Sequence, residues 1–540
     1  MIFPAVASGR AAVQSAGPEV PAPAPGRRRT NRKCEPAVSF SRTCTASLVG
    51  TVGTAVIVEG GPTGRPVRLA RRLSTLLVAA LLLSGCGSAI AGSAVKVGAG
   101  NGTANPITMP PPGPNGPKAG IAPATLTVDN DGHTQSDTLA KNTIADLYDY
   151  YDDIFPKVFD RPFTKAGALL SYDSNVKGPT VCGRTLYREV NASYNPCADT
   201  IVWDRGVLLP DMTREVGILG APTVLSHEMG HLVQNRLNVP HRDVLLLEDQ
   251  ADCYAGAYWR WVADGHSTFY DLNQTAGVRE VLTAMMSTGD PVGTTTSTEG
   301  AHGSGFDRSF SFTLGFSNGA LRCSKITSEE VKARVTETGF TVLGKNFGNV
   351  PITDEFLRQI ATTVNSFFKQ TVKGYREPKL VTFTGSTGPA CDESPTQFPV
   401  GYCMSSNTVS YNLEELRRIG TPTSGFKSTN GDFSAVLILV SRYGLAAQAA
   451  TGGTALGNQA GLRGLCYAGS WSSWMRTAQG PDKLRLSPND LNKAVFQVLN
   501  SPIPASDSAG SSSTSVLDQV QALYIGVVFG APQCFDFYSS

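Results

Sequence analysis

Two histidines four residues apart, with a glutamate beside the first, carry the clearest chemistry in the sequence: His227-Glu228-Met229-Gly230-His231. Val224, Leu225, Leu232 and Val233 fit the apolar positions of a helix over 221–237, and Pro222 suits its first turn. Residues four apart on a helix share a face. Two imidazoles placed so can bind one Zn2+, and the glutamate can act as a base toward a water that the metal activates. The chain has only six His in 540 residues, so two surface or capping histidines falling into HExxH by coincidence is the poorer account.

A catalytic zinc takes a third protein ligand and keeps one position open. His241, Glu248, Asp249 and Asp252 follow as candidates. Residues 245–262 read as a second helix, and the 17 residues from His231 to Glu248 leave room for a turn and a return. Glu248 and Asp252 are themselves four apart. Glu248 can therefore bind the metal while Asp252 accepts the N–H of a ligand histidine. His241 lies in a Pro-flanked loop and is the weaker candidate. Hydrolysis of an amide also calls for an oxyanion donor, for which His302, Tyr254 or Tyr258 are candidates. The alternative for His302 is a structural residue at a helix start.

The cysteines reveal what positions this motif. Of eleven, Cys34, Cys44 and Cys86 lie early, and eight remain. ADCYAGAYWRWV around Cys253 is echoed by GLCYAGSWSSWM around Cys466, 213 residues later. The segments ending in Cys323 and Cys534 share Asp, two Gly and Ala in the same places, 211 residues apart. Cys182 and Cys197 precede the first set as Cys391 and Cys403 precede the second. This order predicts a tandem duplication, residues 136–345 and 346–540. Eight Cys allow 105 pairings, and adjacent pairing within each copy is the simplest: 182–197, 253–323, 391–403 and 466–534.

The second copy lacks the chemistry. Aligned on Gly230 and Gly444, the HEMGHLVQ segment meets Ser441-Arg442-Tyr443-Gly444-Leu445-Ala446-Ala447-Gln448. Glu248 falls opposite Gly461, Asp252 opposite Leu465 and His302 opposite Ser513. The Cys, Gly and aromatic positions persist. The second copy is thus expected to fold without binding metal, and to pack on the first or to present a cleft to substrate or to a protein partner.

The net charge of +2 excludes the basic excess of a nucleic-acid binder, and 41% hydrophobic residues allow a substantial core. The composition also excludes a fibrous, a wholly disordered or a polytopic membrane chain. Leu73–Gly85 is an uncharged apolar run after Arg68, Arg71 and Arg72, too short to span a bilayer comfortably but suited to a signal peptide. Its end, Leu83-Ser84-Gly85-Cys86, resembles a bacterial lipobox, which implies a signal over 67–86 and lipidation at Cys86. Residues 1–66 precede that signal and read as an extension from a mis-assigned start. Residues 87–135 read as a Gly/Pro-rich tether to the outer face of a bacterial cell membrane, with no membrane contact beyond the lipid anchor.

HEMGHLVQ followed by EDQADCYAG resembles the bacterial neutral zinc metallopeptidases, whose pattern is HExGHxxQ and then ELQADCxAG. Tyr194-Asn195-Pro196-Cys197-Ala198-Asp199 is similar to that family's FYCPAD strand, and His302-Gly303-Ser304 with Arg308, Phe312, Gly315, Phe316 and Gly319 is similar to its HGT helix. The likeness covers about residues 180–323. Asp249 stands where the family usually has Leu, a departure expected to change little. The resemblance implies a gluzincin-like fold with His227, His231 and Glu248 as ligands of one Zn2+ and Glu228 as base. The expected fold class is α+β: two tandem metallopeptidase-like domains, mainly helical with a small sheet each. The expected function is extracytoplasmic cleavage of a peptide or protein substrate. In that reading Thr200–Trp203 is the edge strand over the cleft. The alternatives are a binding lipoprotein with structural zinc and a zinc amidase acting on a cell-wall link.

Overall fold

Thr134 and Asp137 start the first long helix as a reciprocal cap. The Thr134 hydroxyl accepts the Asp137 N–H, and the Asp137 carboxylate accepts the Thr134 N–H. This helix, α1 (Gln135–Phe159), buries Ile144, Leu147, Tyr151 and Phe155. The computed structural model describes residues 113–538 except 241–242, 274, 292–293, 295–300, 335–348, 393–396, 423–429, 477–483 and 488. Cys86, its apolar run, His241 and the expected domain boundary at 345 lie outside the described residues.

The chain before α1 is not all tether. β1 (Gly116–Pro117) pairs antiparallel with a short strand at Tyr270–Asp271, and Asp129 bridges to Leu170. The last part of the expected tether, residues 113–134, therefore lies along the folded first half.

A small sheet follows α1. β2 (Ala168–Tyr172) and β6 (Thr200–Asp204) run parallel, and β5 (Ala192–Asn195) runs antiparallel to β6 on its other side. A short hairpin, β3 (Thr180–Val181) and β4 (Arg184–Thr185), lies between β2 and β5 in sequence. β6 is therefore the central strand and β5 the edge, which corrects the expected placement of Thr200–Trp203. The reason is visible in burial: all five β6 residues are buried, while β5 alternates. Helices α2 (Leu208–Glu215), α3 (Gly220–Arg236), α4 (Val244–Ala263), α5 (Ala276–Ser287), α6 (Gly305–Ser324) and α7 (Ser328–Arg334) complete this half, with β7 (Tyr270–Asp271) before α5.

The second half repeats that order: α8 (Asp354–Thr371), β8 (Lys379–Phe383), β9 (Val400–Cys403), β10 (Thr408–Asn412), α9 (Leu413–Gly420), α10 (Asp432–Ala450), α11 (Asn458–Arg476), α12 (Asp490–Asn500), α13 (Val516–Phe529) and α14 (Ala531–Phe537). Its sheet has the same arrangement, with β10 central, β8 parallel to it and β9 antiparallel. Helix approaches recur as well. A Cβ at Gly315 would stand 1.7 Å from the Cys253 carbonyl, and one at Gly526 would stand 1.9 Å from the Cys466 carbonyl. Gly319 (φ 74°) and Gly530 (φ 84°) break their helices in the left-handed region and turn the chain back to its disulfide. The disulfides are Cys182–Cys197, Cys253–Cys323, Cys391–Cys403 and Cys466–Cys534, the adjacent pairing within copies.

α10 is long and apolar enough to cross a membrane, but 89% of its apolar window is buried inside the protein, as in a core helix. One continuous hydrophobic core runs through both halves, which meet through equivalent helices: α5 and α6 of the first against α12 and α13 of the second. The fold is mixed α and β, mainly helical with small sheets.

Candidate metal centre

The HExxH helix α3 is buried almost all round, so its placement is fixed by close packing. Gly230 sits against α4, where an added Cβ would come within 2.8 Å of Ala251 Cα. That approach brings Glu248 on α4 up to the histidines on α3. The two Nε2 atoms of His227 and His231 are 3.1 Å apart. Glu248 Oε2 lies 3.3 Å from His227 Nε2, and Glu248 Oε1 lies 3.5 Å from His231 Nε2.

The far side of each imidazole defines its proton. Asp252 Oδ1 accepts the His227 Nδ1–H at 2.7 Å, as a carboxylate can only accept. His231 Nδ1 donates to Gln234 Oε1 at 2.9 Å. The Gln234 amide cannot be turned over, because its NH2 donates to the Leu247 carbonyl at 2.6 Å. In the neutral rings both Nε2 atoms therefore carry the lone pairs, aimed at one point. Two lone pairs 3.1 Å apart cannot bond each other, and they call for a proton or a metal ion between them. Glu248 Oε2 is buried with no hydrogen-bond partner, a third unmet donor atom at the same place. Donor atoms of these three residues lie within 4.8 Å of one another, and no other such group occurs among the described residues. Two ligands of a tetrahedral zinc stand about 3.3 Å apart at bond lengths near 2.0–2.1 Å, so the residues fit that ion.

The electrostatics favour positive charge. Burial alone would push the His227 pKa down, but the Asp252 carboxylate overrides it and raises it to about 9, so a proton occupies Nε2 when no metal ion does. Burial alone would raise Glu248, yet the surrounding imidazoles hold it well below the usual carboxylate range.

Glu228 faces a cleft of about 230 Å3 floored by His231 and Glu248 and walled by Asn191–Tyr194, Pro196 and His302. Its Oε2 accepts the Tyr194 N–H from β5 at 3.0 Å. His302 stands at the rim, its Nε2 3.9 Å from Glu248 Oε2 and its Nδ1 3.6 Å from Asp290 Oδ1. Asp290 also accepts the His302 and Gly303 N–H groups, each at 2.8 Å, which fixes the backbone at His302. Tyr254 and Tyr258 do not line the cleft. Both are buried in the core, and the Tyr258 hydroxyl donates to Asp146.

Several residues behind the site have no signal strong enough to assign from the sequence. Arg308 on α6 holds Asp252 with two donors, Nη2 at 2.7 Å and Nε at 3.1 Å, and gives Nη1 to the Thr288 carbonyl. Asp249 was expected to matter little, but it is buried and accepts from Ser311 and, at 2.8 Å, from Arg334 Nη2. It ties α7 to the back of the helix that carries Glu248.

The equivalent place in the second half is filled. Arg442, opposite Glu228, is buried and donates to the Ser506 and Asp507 carbonyls at 2.8 and 3.2 Å and to the Ile503 carbonyl. Gly461, opposite Glu248, leaves room for the Ala505 carbonyl, which an added Cβ would meet at 2.1 Å. The second half thus holds segment 503–507 where the first has its cleft. No family model, curated protein or solved structure matches the chain.

Proposed function

We propose that this chain is a zinc-dependent peptidase whose active site lies in the first half. The observation that carries the reading is the convergence of two imidazole Nε2 atoms and a buried carboxylate oxygen on one point, at the floor of a cleft that also presents Glu228. His227, His231 and Glu248 hold the ion, Asp252 and Gln234 fix the two rings, and Glu228 is the base. Zinc supplies Lewis acidity when bound, acidifying a water and polarising a carbonyl in its open position. Glu228 takes a proton from the attacking water and delivers it to the leaving amine, so the proton count closes over the cycle. β5 forms one wall of the cleft. Strand alternation turns the N–H and C=O of Ala192 away from β6, where an extended peptide can pair with them. The Tyr194 N–H faces the same way and is used by Glu228.

A zinc held only for structure has no need of a glutamate base facing an open cleft. The four disulfides support an oxidising compartment, consistent with export and with tethering through Cys86. The test is metal analysis and peptide hydrolysis by the full chain. One zinc per chain is expected, with Glu228→Gln keeping the zinc and losing about 10²–10⁴-fold in turnover. Two zincs per chain, or zinc retained in the double variant His227→Ala/His231→Ala, would refute the assignment.

A further inference from the structure

Among its described residues the second half has no metal-ligand group, and it packs on α5 and α6 of the first half, with its hydrogen bonds Asn492–Phe306, Tyr524–Ser309 and Gln521–Ser317 all going to one of the two. That helix is α6, which carries Arg308 and starts three residues after His302. We propose that the second half acts as the positioning element of the metal centre, with Asn492 and Tyr524 setting α6 and, through Arg308 and Asp252, the ring of His227. The inference rests on the metal reading above and adds a role for the half that reading leaves unused.

α6 has two working faces. Arg308, Phe312 and Gly315 face α4, where Arg308 reaches Asp252 and Gly315 touches the Cys253 carbonyl. Phe306, Ser309, Phe310 and Ser317, spaced three, four and seven apart, face the second half. The first N–H groups of a helix lack partners within it. Ser304 accepts the Asp307 N–H, and the Phe306 N–H goes across to Asn492 Oδ1 at 2.7 Å. The N-terminus of α6 is thus capped in part by a residue 186 positions away. The Asn492 amide is itself oriented, since its NH2 donates to Asn489 Oδ1 at 2.7 Å.

Tyr524 closes the same face. Its ring packs edge-on to Phe306 and Phe310, with centroids 4.8 and 5.3 Å away. Its hydroxyl pairs with Ser309, the neighbour of Arg308. Farther along, Gln521 donates to Ser317 at 2.7 Å. A shift of α6 would carry Arg308 away from Asp252, and Asp252 is the partner that takes the His227 Nδ1–H and so aims Nε2 at the metal position. The chain of contact runs Asn492 and Tyr524, α6, Arg308, Asp252, His227.

The test is zinc affinity, read by competition with a chelator on the full chain well below its melting temperature. Outer partners of ligands typically carry 10–100-fold in affinity, so residues one step farther back are expected to carry about 3–10-fold. Asn492→Ala and Tyr524→Phe should each weaken zinc binding by that amount. Asn492→Asp, which keeps the acceptor for the Phe306 N–H, should restore it. Asn500→Ala, an exposed position on the same helix, should not change it. Melting of the metal-free variants is measured beside it. Lowered melting temperatures with wild-type zinc affinity in Tyr524→Phe would reduce the contact to plain stability and overturn the proposal. Tyr524→Phe removes one hydroxyl and keeps the ring, so it decides the matter even if Asn492→Ala does not fold. A wild-type chain that binds no zinc would instead refute the metal reading itself.

Discussion

Asp252 is the most constrained residue near the centre. It is fully buried and accepts three donors: His227 Nδ1–H, Arg308 Nη2 and Arg308 Nε. An amide in its place must turn one N–H toward another donor. Asp252→Asn is therefore expected to weaken zinc binding by about 10–100-fold. It should also destabilise the fold, because a buried guanidinium left without its anion costs about 3–5 kcal/mol. Zinc competition and thermal melting check both effects, and unchanged affinity would remove Asp252 from the centre. At this scale the sequence was most legible where partners share a helix. His227 with His231, and Glu248 with Asp252, are four apart, and four residues is one turn. Arg308 stands out in the sequence only as part of the HGT-like segment; its partner was not legible, since it lies 56 positions back and only folding joins them. Asp249 was misread for the same reason: its value depends on Ser311 and Arg334, far along the chain. Tyr254 is a different failure. It lies two residues past Asp252, about 200° round the helix, so periodicity already directed it away from the centre.

Strand burial in the first sheet follows the pattern of the sequence. Thr200-Ile201-Val202-Trp203 is a continuous apolar run, the mark of a strand covered on both faces, and β6 is indeed the middle of its sheet. The alternating segment Ala192–Asn195 carried the edge signal. A second device at this scale joins the starts of α10 and α12. Lys493 is buried and donates to Asp432 and Asp490 at 2.7 and 2.8 Å. Two carboxylates share one ammonium, and burial, with Asp432 beside it, outweighs Lys493 to raise the Asp490 pKa from 3.8 to about 7. Between those values the folded chain holds a proton that the unfolded chain has lost. Stability from this group is therefore fully present below about pH 4 and declines as pH rises through 7. Asp490→Asn has no proton to lose and should flatten that decline. Melting temperatures from pH 4.5 to 8 are to be compared between wild type and variant. A wild-type curve that rises more steeply with pH than the variant's would reverse the assigned sign.

At the scale of the whole molecule, the cysteine spacing made the repeat legible, but not how the repeats meet. The joining surfaces are ordinary apolar helix faces, and nothing in their periodicity names a partner. The filled cleft of the second half was likewise hidden, because Arg442 opposite Glu228 reads as a lost residue until segment 503–507 lies over it. The place equivalent to the first half's cleft is thus taken by segment 503–507, and the two halves share a core. This arrangement bears on whether the first half can stand alone. Residues 113–334 retain the metal ligands, both of their disulfides and the Asp249–Arg334 pair. They lose the cover over Phe306 and Phe310, which are 1% and 6% exposed in the whole chain, and the Asn492 cap. Uncovering a large apolar side chain costs about 1.5–3 kcal/mol, against a total stability of about 5–15 kcal/mol for a typical domain. The isolated segment is therefore expected to be marginal: poorly soluble, lower-melting than the full chain, and weaker for zinc. Co-expression with residues 349–538 should restore all three properties, since it returns Asn492 and Tyr524 to α6. A segment that melts and binds zinc like the full chain would show that the two halves are joined by sequence and share no stability.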